Sequence, residues 1–104
     1  MKESDWKIFK EIKNKALEKY CSKVLQEFTE VINNENEHVH ERYLHLYKLV
    51  KDRDKELSRI FDYHSRSKAH IQLTLIRNEG LADNELLSKL SEEFLEDTDP
   101  DMFR

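Results

Sequence analysis

Glycine and proline are almost absent from this chain, and this scarcity limits the folds open to it more than any other feature. One Gly and one Pro occur in 104 residues. Tight β-hairpin turns and phosphate-binding loops need glycine where φ is positive. β-Sandwiches, β-barrels, Rossmann units and P-loops are therefore excluded, and the sequence predicts an all-α fold.

The first third of the chain repeats apolar residues at helical spacing. Ser4 is expected to cap a helix whose apolar positions run from Trp6 to Ile32, over about eight turns. The Asn-rich segment 33–37 ends this helix, because Asn side chains compete for backbone hydrogen bonds. A second helix begins near Glu37, and so short a connection predicts a long antiparallel helical hairpin. The apolar seam of the second helix comprises Val39, Tyr43, Leu46, Val50, Leu57, Ile60 and His64.

Arg53 is the one charged member of that seam. The first interpretation is that it lies at the edge of the seam, with its stem packed and its charged head in water. The alternative is an ion pair with a carboxylate on the other side of the helix interface.

Gly80 is expected to end the second helix in the left-handed conformation. Because no Gly or Pro precedes it, the sequence favours one continuous helix over residues 37–79. The alternative is a break near residues 64–67, where serines could cap a third helix. Asp83 is then expected to cap a short C-terminal helix. The apolar stripe of that last helix comprises Leu86, Leu87, Leu90, Phe94 and Leu95.

These elements predict a single helical domain over residues 1–95. The chain carries 22 acidic and 18 basic residues, and residues 67–104 hold nine of the acids but four of the bases. Residues 96–104 contain the only proline and few apolar residues, so this acidic tail is expected to be disordered.

The apolar content points to a partner. Only 38% of the residues are hydrophobic, and a short chain with so few would have a thin core as a monomer. Residues 69–76 are also apolar on two nearly opposite sides of a helix, and one neighbouring helix could not bury both. One side carries Ala69, Leu73 and Ile76, and the other Ile71 and Leu75. Either the last helix covers the second side or another subunit does, and the leading interpretation is a homodimer that forms a helical bundle. Its expected interface comprises Leu57, Ile60, His64, Ile71, Leu75, Leu86, Leu90 and Phe94.

This architecture predicts a small protein–protein interaction module, an adaptor, regulator or inhibitor that acts on an unidentified protein partner. Neither catalysis nor a cofactor is expected, because Cys21 has no His at helical spacing and no oxyanion-binding donors are implied. Nucleic-acid binding is not expected, because acids alternate with the bases over residues 48–59. Tyr47 and Tyr63 lie off the seam, where an amphipathic ring suits a protein contact.

Histidine supports an alternative function. His38, Glu41 and His45 are spaced three and four residues apart and would share one helix face, an arrangement that can hold a divalent metal. His64 lies on the apolar seam, and histidine titrates between about pH 5 and 8. The alternative hypothesis is therefore a metal- or pH-responsive helical sensor.

The single cysteine cannot form an internal disulfide, which favours a reducing compartment. The first ten residues carry charges where a signal peptide needs an apolar run, and no stretch approaches the ~18 apolar residues of a membrane span. The sequence thus predicts a cytoplasmic protein that does not span a membrane.

Overall fold

The computed structural model describes the backbone of residues 1–103 and the side chains of residues 1–102. These residues form helices and no strand, so the predicted all-α class is confirmed. Two long helices come first, α1 at Glu3–Ile32 and α2 at Val39–Phe61. A 3₁₀ turn at Arg66–Lys68 leads into α3 at Ala69–Asn78, and the short helices α4 at Asn84–Leu87 and α5 at Glu92–Asp97 precede a 3₁₀ turn at Pro100–Phe103. None of the helices in residues 1–103 combines the length and the apolar character needed to cross a bilayer.

Helices α1 and α2 form the predicted antiparallel hairpin. Near the connecting loop, Nη1 of Arg42 donates a hydrogen bond of 2.6 Å to the carbonyl oxygen of Ile32. At the other end, Nζ of Lys13 donates at 2.8 Å to the carbonyl oxygen of Tyr63. Late positions of α1 thus contact early positions of α2, and early positions of α1 contact the end of α2.

The second helix ends at Phe61, so the continuous helix over residues 37–79 is wrong and the alternative, a break, is what the structure shows. The backbone at Ser65 is extended, with φ −96° and ψ 149°. After this turn, α3 folds back towards the end of α2. Ala69, Leu73 and Ile76 of α3 thus share one core with Ile60 and Phe61 of α2. The buried side chain of Gln72 donates from Nε2 to the Ile60 carbonyl oxygen at 3.0 Å, which supplies a partner for a carbonyl at the end of α2.

The hydrophobic core lies at one end of the hairpin, where α3, α4 and α5 pack against it. The structure measures 53 × 25 × 22 Å, so the hairpin projects well beyond this core. We call the projecting part, residues 21–57, the arm. The arm lies wholly within the described residues, and Val31 is the one residue in it that is buried. The core comprises Phe9, Ile12, Ala16, Tyr20, Ile60, Phe61, Ala69, Leu73, Ile76, Leu81, Leu86, Leu90 and Phe94.

Two of the predicted helix-end signals are confirmed, and a third is wrong. Gly80 has φ +70°, the left-handed conformation that follows a helix end. Asp83 caps α4, since its Oδ1 accepts from the backbone N–H of Leu86 at 2.9 Å. This hydrogen bond holds the pKa of the Asp83 carboxyl below its usual value. Ser4 does not cap α1, because the N-cap position is Lys2, which makes no side-chain cap bond.

The predicted C-terminal helix is divided into α4 and α5 at Ser91. The Ser91 hydroxyl caps α5 by accepting from the N–H of Phe94 at 3.3 Å. The buried carboxylate of Asp5 accepts from the Ser91 N–H at 2.9 Å and from its hydroxyl at 2.6 Å. Because this N–H bonds to Asp5, it cannot make the i→i−4 bond that one continuous helix would require.

The sequence predicts that the domain ends at residue 95 and that residues 96–104 are disordered, but residues 96–98 are ordered in the structure. Helix α5 continues to Asp97, and Thr98 is fully buried. The Thr98 hydroxyl donates to the carbonyl oxygen of Phe94 at 2.7 Å and accepts from Nη1 of Arg77 at 2.9 Å. The acidic composition suggested disorder, but these bonds fasten residue 98 to α3 and α5. Arg104 lies outside the described residues.

Candidate functional site

The two helices of the arm are held together by a polar contact at its base. Nε and Nη2 of Arg53 donate to the two carboxylate oxygens of Glu27 at 2.8 and 3.0 Å. Nη1 of Arg53 also lies 3.7 Å from the carboxylate of Glu56. The phenol of Tyr20 donates to the Arg53 carbonyl oxygen at 2.8 Å. The head of Arg53 is therefore paired across the helix interface, which was the alternative to a head in water.

These contacts shift the titration of the groups that make them. The hydrogen bond from Arg53 lowers the pKa of the Glu27 carboxyl, and the same bond raises the pKa of Arg53. Burial, followed by the charge of Glu56, raises the pKa of Tyr20 to about 12. At neutral pH the Arg53–Glu27 pair is thus ionised and Tyr20 keeps its proton, so all three bonds are present.

The rotation of α2 about its own axis determines which of its residues face α1. Its half-buried residues include Arg42, Leu46, Leu49, Arg53 and Glu56. An α-helix turns by about 100° per residue, so these five positions share one side of α2, and Val39, Tyr43 and Val50 lie beside that side. The seam residues Val39, Tyr43 and Val50 are consequently exposed.

Helix α1 presents a matching apolar strip. Its positions 21, 25, 28 and 32 lie roughly 140° around the helix from core positions 9, 12, 16 and 20. The helices that cover the core therefore leave this strip open. We call the combined surface the arm face, and it comprises Cys21, Leu25, Phe28 and Ile32 of α1 together with Val39, Tyr43, Tyr47, Val50 and Leu57 of α2.

The arm face is apolar, exposed and grooved. Six of its residues have exposed fractions between 42% and 74%. A groove of about 270 Å³ lies between the two helices on this side. The groove is lined by Tyr20, Cys21, Val24, Leu25, Phe28, Val50, Arg53, Asp54 and Leu57. The opposite side of the arm is polar and carries Lys23, Glu27, Arg53 and Glu56.

Most of the residues predicted as an interface do not lie on the arm face. Four of them, Ile60, Leu86, Leu90 and Phe94, have 0–6% exposure and belong to the core of a single chain, so they are not surface residues. Leu57 is half-buried and lines the arm-face groove. His64 and Ile71 are exposed, and Leu75 is half-buried.

Of the two apolar sides of residues 69–76, one is fully buried and the other is not. Ala69, Leu73 and Ile76 are fully buried, while Ile71 on the other side is 49% exposed. The terminal helices lie along a third side, where the His70 ring makes an edge contact with Phe94 at 4.9 Å between centroids. A singly exposed apolar residue is ordinary on a protein surface, so the two-sided pattern does not by itself define a contact surface.

The structure does not assemble the predicted metal trio. His38 has extended backbone angles at the N-cap of α2, so it departs from the helical register that would align it with Glu41 and His45. Nδ1 of His45 lies 3.4 Å from a carboxylate oxygen of Glu37 instead. Within the part of the chain that the structure describes, no group of three or more His, Cys, Asp or Glu side chains is placed to hold a metal ion.

Leu25 is the arm-face residue that the sequence pattern missed. The apolar positions of α1 near the loop form a strip wider than one partner helix covers, since Leu25 and Ile32 flank Val24 and Val31. That excess width was the available signal.

Comparisons of this chain with protein-family models, with curated proteins and with solved structures found no match.

Proposed function

We propose that this chain is a protein–protein interaction module, an adaptor, regulator or inhibitor without catalytic activity, and that it binds its partner through the arm face. The observation that carries the proposal is the exposed apolar part of the arm face, formed by Leu25, Ile32, Val39, Tyr43, Tyr47 and Val50. Cys21 and Leu57 pack against the core, but these six exposed residues do not belong to it. Their apolar character therefore calls for another explanation, and burial against a partner supplies one.

The size of the arm face supports this proposal. Taking roughly 200 Å² for a fully exposed large residue, its six most exposed members present on the order of 700 Å² to solvent. The largest apolar patch of a typical monomer is about 300–600 Å², and patches of that size are often functional. Covering such a surface removes apolar area from water, which is the main driving force of protein association.

The two tyrosines give the surface the composition of a binding site. Tyr43 and Tyr47 are 66% and 59% exposed, and the ammonium of Lys51 lies 5.3 Å from the centre of the Tyr47 ring. Tyrosine combines a large apolar ring with a polar hydroxyl, and it is enriched among the residues that dominate interface energetics.

The homodimer and the cytoplasmic location expected from the sequence stay proposals, and the absence of enzymatic activity stays one too.

The test is site-specific photo-crosslinking in the native cell. A photo-reactive phenylalanine analogue at position 47 is expected to capture a protein, because this residue lies on the arm face. The matched control is position 44, since Leu44 is 50% exposed on the same helix but lies off the arm face. Val50→Glu should abolish capture from position 47 by placing a charge on the arm face. Equal capture from positions 47 and 44, or capture that survives Val50→Glu, would overturn the proposal.

A further inference from the structure

We propose that the occupant of the arm face is a second copy of this chain, so that two arms pack face to face as a four-helix bundle. This inference rests on the proposed function, because it names the partner for the same surface. The contact differs from the interface expected from the sequence, since the two share only Leu57.

The width of the arm face fits a hairpin better than a single helix. Leu25 of α1 and Val50 of α2 line the groove, whereas Tyr47 lies about 60° further round α2 than Val50, away from α1. A single helix seated in the groove would contact Leu25 and Val50 and leave Tyr47 in water. Two helices side by side would cover Tyr47 as well, and the arm of a second copy has that form.

The area also agrees with a dimer of standard size. A stable interface buries about 800 Å² on each partner, close to the roughly 700 Å² estimated for the most exposed arm-face residues. In a two-fold dimer each copy contributes the same patch, so the surface has to be compatible with itself. An apolar face satisfies this condition without matched charges.

Charge presents little obstacle to such a contact. Arg53 and Asp54 are the charged residues that line the groove. Arg53 is already neutralised by its pair of bonds to Glu27 on the polar side of the arm. Asp54 is exposed, so its carboxylate can keep contact with water where it lines the groove.

Light scattering coupled to size-exclusion chromatography tests the inference directly. The full chain at micromolar concentration is expected to run at twice its mass of 12.6 kDa. Val50→Glu and Tyr47→Glu should each weaken the dimer by about tenfold or more, because each puts a charge into the apolar contact. The matched control is Leu44→Glu, which makes the same kind of change about 120° around α2 from Val50 and should leave the dimer intact. Circular dichroism checks that every variant keeps its helices.

Cys21 provides a second readout that does not depend on mass. It is the only cysteine of the chain, and it is half-buried on the arm face. In the dimer its reaction with a thiol reagent should be slow at high protein concentration and should accelerate on dilution. In Val50→Glu the slow rate should require a protein concentration about tenfold higher or more than in the wild type.

The outcomes separate this inference from the proposed function. A wild-type chain that stays monomeric at several hundred micromolar refutes the second copy. If position 47 still captures a different protein in that case, the proposed function stands. A dimer that tolerates Val50→Glu and Tyr47→Glu as well as Leu44→Glu refutes the arm face as the dimer contact, and photo-crosslinking then decides whether the proposed function fails with it.

Discussion

The phenol of Tyr20 donates a 2.8 Å hydrogen bond to the backbone carbonyl oxygen of Arg53, and this bond joins α1 to α2 where the arm leaves the core. Tyr20→Phe removes that bond and keeps the ring. We expect it to lower the free energy of unfolding by about 1 kcal/mol, measured by urea denaturation. The control is Tyr43→Phe, whose exposed hydroxyl should contribute less than about 0.5 kcal/mol. Equal effects of the two substitutions would contradict the bond.

The same tyrosine gives a pH signature. Its pKa in the folded chain is about 12, raised above the ordinary value of 10.0. A group whose pKa is raised by folding stabilises fully below its unfolded pKa, and that contribution is lost as the pH rises through the folded pKa. Wild-type stability should therefore fall between about pH 10 and 12, with a shallower fall in Tyr20→Phe. Parallel curves for the two proteins would show that Tyr20 titrates normally.

Glu27→Gln should weaken the base of the arm at neutral pH. The Glu27 and Arg53 side chains are 39% and 31% exposed, so solvent screening limits the pair to about 0.5–1 kcal/mol. Folding lowers the Glu27 pKa below 4.5, so its contribution is present above that value and is lost as the pH falls through the folded pKa. The deficit of Glu27→Gln, measured by denaturation, should thus shrink towards zero in acid. Glu30→Gln, an exposed change one turn along α1, is the control, and a deficit independent of pH would argue against the pair.

Thr98→Ala tests whether residue 98 belongs to the folded domain. It removes a hydroxyl that serves both the Phe94 carbonyl and Arg77, and leaving buried polar groups without partners costs about 1–3 kcal/mol. Thr29→Ala is a matched control, because the Thr29 hydroxyl makes the same kind of bond to the Leu25 carbonyl at 2.9 Å on an exposed part of α1. Thermal unfolding should show a large loss of stability for Thr98→Ala and a small one for Thr29→Ala. Similar small losses of stability for both variants would support the predicted disorder of residues 96–104.

Zinc titration tests the sensor hypothesis. Because His38 and His45 are not brought together with Glu41, we expect the His38→Ala/His45→Ala double variant to bind zinc as weakly as the wild type. Calorimetry measures both affinities. A loss of about tenfold or more in the double variant would show that these side chains do form a metal site.

Local chemistry made parts of the fold predictable. The spacing of apolar residues, the Asn-rich loop, the left-handed Gly80 and the Asp83 cap all act within a few residues of each other. The break after Phe61 was not predictable in the same way, because no Gly or Pro marks it. At the break, the Gln72 side chain donates a hydrogen bond to the Ile60 carbonyl oxygen, a contact that exists only in the folded chain. The hydrogen bond from Arg77 to the Thr98 hydroxyl likewise exists only in the folded chain.

The arm face was only partly predictable. The seam residues Val39, Tyr43 and Val50 were identified as apolar helix positions, and Tyr47 as a residue suited to a protein contact. Their exposure depends on how far α2 is rotated about its axis, and the bonds between Glu27 and Arg53 are among the contacts that accompany this rotation. An ion pair between residues so far apart in sequence cannot be found from helical spacing alone.

The placement of the core at one end of the hairpin makes its stability uneven along its length. Helical hydrogen bonds protect amide protons from exchange and open most readily where few side chains are buried, and in the arm Val31 alone is buried. Local opening should therefore start at the loop near residues 33–38 and become progressively rarer towards Tyr20. A molecule that binds the arm near this loop would slow the opening. Hydrogen exchange would then detect its binding as added protection of amides far from the core.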